Sequence, residues 1–227
     1  MHIGILQCGH TPDLVNANHG DFDALFTHMF NGEGFSFTTF NVVDGEWPED
    51  HLTADGWLVT GSQHGAYEDH AFIPPLEEFI RAVNQSDRPM VGICFGHQII
   101  AQALGGTVEK FAGGWAVGRH TYDFEGTALS FNAWHQDQVV KRPETAKVVA
   151  TSSFCENAAL RYGDRILTTQ AHPEITNAVL HDYLAARGTD PQYPTALIEQ
   201  AQAHVETPND EWVVARMLAH FLKDNAP

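Results

Sequence analysis

Apolar residues cluster or alternate over His2–Cys8, Phe35–Val43, Gly56–Thr60 and Met90–Cys94, and each run predicts a strand. Between some of these runs the period lengthens to that of a helix. Asp21–Phe30 repeats apolar residues at helical spacing, and Pro74–Val83 opens with Pro75 and acids in its first turn. Arg88-Pro89 breaks the chain just before the strand that ends at Cys94. Alternating strands and helices predict a mainly parallel sheet covered on both faces.

After Gln98–Leu104, a helix closed by Gly105-Gly106, the texture changes. Thr107–Lys110, Trp115–Phe124, Lys147–Thr151, Ala158–Tyr162 and Arg165–Thr169 read as shorter strands joined by glycine-containing turns. The last stretch is helical: Ile175–Arg187 with Gly188 as its cap, then Thr195–Val205, then a helix from Asn209-Asp210-Glu211. That final helix puts Val214, Met217, Leu218, Phe221 and Leu222 on one face, a stripe for core packing or for a subunit contact. There is no internal repeat, low-complexity tract or long linker.

Length and charge narrow the classes. A chain of 227 residues, 43% hydrophobic, suits one α/β domain or a domain with a helical appendage. No apolar run approaches the roughly 20 residues of a spanning helix. The start, Met1-His2-Ile3-Gly4, lacks a basic leader and reads as a first strand. With 29 acidic residues against 12 basic ones, the net charge of −17 repels phosphate backbones and anionic membranes, so neither is an expected partner. Three cysteines with no paired spacing do not form a disulfide framework, and a cytoplasmic setting is expected.

Candidate chemistry concentrates in Gly92-Ile93-Cys94-Phe95-Gly96, where an apolar strand turns abruptly into a helix. The form is that of a nucleophile elbow. A sharp reversal crowds the backbone, and flanking glycines remove the Cβ atoms that would interfere. The apex side chain is left at the carboxyl end of the sheet, where open α/β folds bind ligands. A helix starting there also directs amide N–H groups at the sulfur. Cys8 and Cys155, without an elbow, read as small core residues. Cys94 and His97 could also be half a metal site. No HExxH, second CxxC or suitably spaced third ligand accompanies them, so no metal is expected.

A cysteine nucleophile needs a proton partner. The best local chemistry among fourteen histidines is in Thr169-Gln170-Ala171-His172-Pro173-Glu174. A strand delivers His172 to the sheet edge, Pro173 fixes φ, and Glu174 can reach back to one imidazole nitrogen while the other faces sulfur. The plain alternative is a His-Pro-Glu helix start with Glu174 as a first-turn acid.

Gly92-Ile93-Cys94-Phe95-Gly96-His97-Gln98, then Ala103-Leu104-Gly105-Gly106, then Gln170-Ala171-His172-Pro173-Glu174 together resemble the class I glutamine amidotransferases. The similarity is greatest to the glutaminase domain of guanosine monophosphate synthetase and its free-standing relatives. This resemblance implies a three-layer α/β/α sandwich of flavodoxin-like type, with a catalytic domain over 1–175 and a C-terminal helical extension over 176–227 packed on it. It implies a Cys94–His172–Glu174 triad and a γ-glutamyl thioester. By the same resemblance, the turn Gly61-Ser62-Gln63 supplies one oxyanion-hole amide and Phe95 the other. Many relatives carry Gly-Gly-Pro at that turn. Trp134-His135-Gln136-Asp137 resembles the family's Ser-His-Gly-Asp segment near bound glutamine, and Gln98 matches a substrate-contacting position. Taken alone, Gln98 is an amphipathic-helix residue and His135 a turn residue. His64, Tyr67, Glu68 and Asp69 read by default as solvated surface, with the pocket rim as the other reading.

No nucleotide-binding signature is present, and no cofactor is expected. Three functions follow. The first is a stand-alone hydrolase acting on glutamine or another γ-glutamyl amide or peptide. The second is a glutaminase subunit delivering ammonia to a separate synthetase. The third is a non-catalytic binding protein that retains the fold.

Overall fold

The computed structural model describes residues 1–227. Its first half alternates as the sequence predicts: β1 (His2–Leu6), α1 (Asp13–His19), α2 (Phe22–Met29), β2 (Ser36–Phe40), β3 (Gly56–Val59), α3 (Ile73–Gln85), β4 (Met90–Ile93) and α4 (Phe95–Ala103). The second half runs β5 (Thr107–Lys110), β6 (Ala116–Phe124), β7 (Thr127–His135), β8 (Asp137–Lys141), β9 (Lys147–Thr151), β10 (Ala159–Tyr162), β11 (Ile166–Thr169), α5 (Asn177–Arg187), α6 (Thr195–His204) and α7 (Glu211–Asp224). The sequence reading did not find α1, β7 or β8. It also expected acids in the first turn of α3. The helix begins at Ile73 with proline at its first positions and has no acid there.

Nine strands form one sheet in the order β2-β1-β3-β4-β11-β10-β9-β6-β7, and β5 pairs with β8 beside it. β2, β1, β3, β4 and β11 are mutually parallel, and the remaining pairs of the large sheet are antiparallel. Alternation along the parallel strands sorts side chains into two cores. Ile3, Ile5, Leu58, Val91, Ile93 and Leu167 face one side, where α2, α5, α6 and α7 pack. Leu6, Trp57, Val59, Met90 and Ile166 face the other, with α3 and α4. The result is the three-layer α/β/α arrangement with helices on both faces of a central sheet.

The C-terminal helices share the first of these cores. Val214, Leu218, Phe221 and Leu222 of α7 are buried in it, so the predicted stripe is core packing. Gly188 caps α5 through an N–H bond to the Leu184 carbonyl, but in right-handed conformation with φ −65°. It is glycine for room: a Cβ there would lie 2.4 Å from that carbonyl oxygen.

The strand order reverses at β1, whose two neighbours β2 and β3 both follow it in sequence. Open α/β sheets carry their ligand crevice at the carboxyl ends of strands at such a switch. Here those ends lead into Gln7–His10, Thr60–Ser62, Cys94 and Gln170–His172.

Candidate active site

Cys94 stands between β4 and α4 with φ 53° and ψ −104°, a backbone conformation that a side-chain-bearing residue rarely adopts. Such strain costs about 1–3 kcal/mol and persists only where the surroundings impose it. Here the Cys94 N–H donates to the Thr169 carbonyl at 2.9 Å, and its own carbonyl accepts from Gln98 N at 3.0 Å. The flanking glycines are sterically required. A Cβ on Gly96 would lie 2.2 Å from the Val59 carbonyl oxygen, and one on Gly92 would lie 2.8 Å from the Gly96 backbone.

His172 follows the end of β11. Its side chain and that of Glu174 are almost wholly buried, with the imidazole Nδ1 at 2.6 Å from Glu174 Oε1. Cys94 faces the same cleft as this ring, and its sulfur acts on the imidazole from close by. Burial alone would lower the His172 pKa. The charges of Glu174 and Cys94, with hydrogen bonds to both, outweigh burial and raise it well above the ordinary imidazole value. Asn132, in the middle of β7, fixes this turn from both ends. Its carbonyl accepts from His172 N at 2.8 Å, and its side-chain amide donates to the Ile175 carbonyl at 2.8 Å. No motif in the sequence marks Asn132.

The two segments expected to form an oxyanion hole flank this pair. Phe95 is the first residue of α4, so its N–H has no partner within the helix, while its side chain is buried in the core. Gly61 packs against the catalytic candidates: a Cβ built on it would lie 3.3 Å from His172 Cε1. Thr60 Oγ1 donates to the Gly61 carbonyl at 2.9 Å and accepts from Cys8 N at 3.0 Å. In a trans peptide the N–H points opposite the C=O. Pinning the Gly61 carbonyl therefore also fixes the direction of the Ser62 N–H.

Gln98, His135 and Asp137 come together. Gln98 Nε2 donates to the Asp137 carbonyl at 2.9 Å and to Gln170 Oε1 at 3.2 Å, and His135 Nδ1 lies 3.3 Å from that same carbonyl. His135 ends a strand and does not sit in a turn. Burial, reinforced by neighbouring His172, pushes its pKa down to about 3, so the ring is neutral. Cys94, Ser62, Gln98, His135, Asp137 and His172 all line one cleft of about 480 Å³.

His64, Tyr67 and Glu68 line that cleft as well, whereas Asp69 does not. The default surface reading is thereby corrected for the first three, because the loop after β3 folds over the strand ends. His97 is fully buried, bonded through Nδ1 to Thr168 Oγ1 at 2.8 Å, and burial lowers its pKa to about 3. It does not line the cleft with Cys94 and is a core residue. The opposite wall comes from Trp134 and from segments that carried no motif: Trp115, Tyr183, Arg187, Gln192 and Tyr193.

The chain resembles known proteins along most of its length. Residues 20–188 match the model of the family described as glutamine amidotransferase class-I. Gamma-glutamyl peptidase 4 of Arabidopsis thaliana is 33% identical over 192 residues, covering 77% of this chain and 76% of the relative. The glutamine-hydrolyzing GMP synthase subunit of Methanopyrus kandleri is 31% identical over 181 residues, 71% of this chain and 88% of that one. Among solved structures, a glutamine amidotransferase from Thermotoga maritima superposes with a TM-score of 0.76 at 23% identity, covering 99% of this chain and 98% of that one.

Proposed function

Because this chain belongs to the class-I glutamine amidotransferase family, we propose that it is a hydrolase that cleaves the amide of glutamine or another γ-glutamyl compound through a thioester on Cys94. The observation that carries this reading is that Cys94 and His172 line one cleft while the buried Glu174 carboxylate is bonded to the His172 ring. With the proton of the Cys94–His172 pair resident on the imidazole, the sulfur attacks the γ-carbonyl carbon. The tetrahedral oxyanion is met by the amides of Phe95 and of the Gly61-Ser62 turn, a contribution of about 10²–10³ in rate per donor. As the C–N bond breaks, His172 returns the proton to the departing nitrogen, and ammonia or an amine leaves. His172 then deprotonates water, which attacks the thioester carbonyl. The C–S bond breaks, glutamate is released, and the thiol is restored. Glu174 holds the ring in the required tautomer throughout. Gln98, His135 and Asp137 form the wall that receives the glutamyl end.

The cleft supports a leaving group larger than ammonia. Its outer wall is an aromatic cluster in which the Trp115 and Tyr193 rings lie 4.6 Å apart and the Trp134 and Tyr193 rings 5.1 Å apart. Lys110 and Arg187 also line it, two cations in a chain of net charge −17. A γ-glutamyl peptide, which carries two carboxylates, matches such a lining. In this reading residues 1–175 form the catalytic domain and 176–227 an extension packed on it, whose Tyr183, Arg187, Gln192 and Tyr193 close one side of the pocket. The similarity to the glutamine-hydrolyzing part of GMP synthase favours a second reading, a glutaminase that awaits a separate synthetase.

The deciding experiment compares kcat/KM for glutamine, γ-glutamyl amides and γ-glutamyl dipeptides, with and without cell extract. Turnover of at least one γ-glutamyl peptide by the isolated chain is the expected outcome. Inertness toward every substrate alone, with glutamine hydrolysis appearing only with extract, establishes the second reading instead.

A further inference from the structure

We propose that His64, Glu68 and His70 form a binding site for a zinc-class divalent cation at the rim of the Cys94 cleft. One donor atom from each residue lies within 4.8 Å of the other two. His70 Nε2 is 2.8 Å and His64 Nδ1 is 3.9 Å from the same oxygen, Glu68 Oε2. Tetrahedral zinc with bonds of about 2.0–2.2 Å sets its ligand atoms about 3.3–3.6 Å apart, so small side-chain rotations complete the geometry.

The loop is built to hold these donors together. Glu68 N donates to the Gly65 carbonyl at 3.1 Å, His70 N to the Glu68 carbonyl at 3.1 Å, and Ile73 N to the His70 carbonyl at 3.0 Å, tying the loop to the start of α3. Gly65 lets it curl: a Cβ there would lie 3.0 Å from the Tyr67 ring and 3.2 Å from Asp137 Oδ2. The His64 and His70 rings sit 4.1 Å apart, and Phe72 backs both, at 5.8 and 6.0 Å between ring centroids. Apolar backing of this kind restricts the imidazoles to the rotamers that present their nitrogens.

Donor chemistry selects the ion. Two imidazoles and one carboxylate suit zinc, whereas calcium and magnesium require oxygen-rich sets. All three residues line the cleft, which leaves the fourth position to a water or to a donor from a bound molecule. The net charge of −17 raises the local concentration of any dication. None of the three takes part in the hydrolysis described above, so the site can be tested without reference to that reaction. Their spacing in a loop matches no sequence metal motif, which is why the chain reads as metal-free.

The test uses the full chain carrying Cys94→Ala, which removes the competing thiol, freed of metal by chelator and dialysis. It is titrated with ZnCl2 by calorimetry and with CoCl2 by visible absorbance. One equivalent should bind with Kd on the order of 1 μM or tighter, with cobalt bands of a four-coordinate site. His70→Ala and Glu68→Gln, each in that background, should weaken binding at least ~10-fold, the loss that even an outer-shell change produces. Glu68→Gln serves if the alanine variant does not fold. Absence of a bound equivalent overturns the proposal. So does undiminished binding in these variants, which would put the ion among other histidines.

Discussion

The Nδ1 atom of His172 meets Glu174 Oε1 at 2.6 Å across a single turn, and the other oxygen of that carboxylate, Oε2, is buried without a hydrogen-bond partner. The carboxylate is therefore committed to the imidazole.

A pH dependence of stability follows. The His172 pKa in the folded chain stands well above the value of about 6.5 for an unfolded imidazole, so folding is favoured where the proton is bound. This contribution is complete below about pH 6.5 and is lost as pH rises through the raised value. Glu174→Gln removes the largest influence raising that value and leaves burial, which lowers it. Urea unfolding of both proteins should show a stability gap near pH 6 that closes toward alkaline pH. A gap that widens with pH would mean that His172 is neutral in the native chain.

Reactivity separates the three cysteines. Burial pushes the Cys8 thiol far up and the Cys155 thiol up to about 12, and neither lines the cleft. Cys94 faces the cleft beside a histidine. Brief substoichiometric alkylation near neutral pH, mapped by mass spectrometry, should label Cys94 first. Preferential labelling of either other cysteine would remove the nucleophile assignment.

Cys94→Ala and His172→Ala should each lower kcat at least ~10⁴-fold, with the double variant losing little more than either single one. Glu174→Gln should be milder, because an orienting group remains. Near-native turnover in His172→Ala would assign the base to another histidine.

Asn132 acts through the turn it clamps. Asn132→Ala leaves the Ile175 carbonyl without its buried donor, at a cost of about 1–3 kcal/mol in unfolding free energy. Loss of alignment at His172 should reduce kcat more than it changes KM. Equal changes in both, or a KM effect alone, would assign Asn132 to substrate binding.

Arg187 tests the outer wall. If it pairs with a carboxylate of the departing peptide, Arg187→Ala should lower kcat/KM for γ-glutamyl dipeptides about 10–100-fold while changing glutamine hydrolysis much less. Equal losses on both substrates would place its contact at the glutamyl end.

Much of this architecture can be read from the chain, and the gaps have physical causes. The parallel strands announce themselves as short apolar runs because both of their faces are covered. The elbow and the His172–Glu174 turn are legible because each is local: the residues that carry its chemistry lie within six consecutive positions. β7 escaped because its middle, Leu129–Ala133, is buried continuously, and because its hairpin turns at Glu125-Gly126, with φ of 48° and 96°, where no Asn-Gly or Asp-Gly signals it. Missing β7 meant missing Asn132. The outer wall was hidden for a different reason. Trp115, Tyr183 and Tyr193 lie on three separate segments that only folding brings together, and each alone reads as core.

Gly96 connects two parts of the site that the sequence keeps apart. A Cβ on it would collide with the Val59 carbonyl, and its N–H donates to the Thr60 carbonyl at 3.1 Å, so the elbow rests directly on the strand end that leads into Gly61. Neither the sulfur nor the oxyanion turn can shift without carrying the other. Change in such a molecule is channelled outward. The bond-breaking centre behaves as a single rigid casting, while the aromatic wall around Trp115 and Tyr193 lies outside it, so new substrates would be acquired at that wall and the chemistry inherited whole.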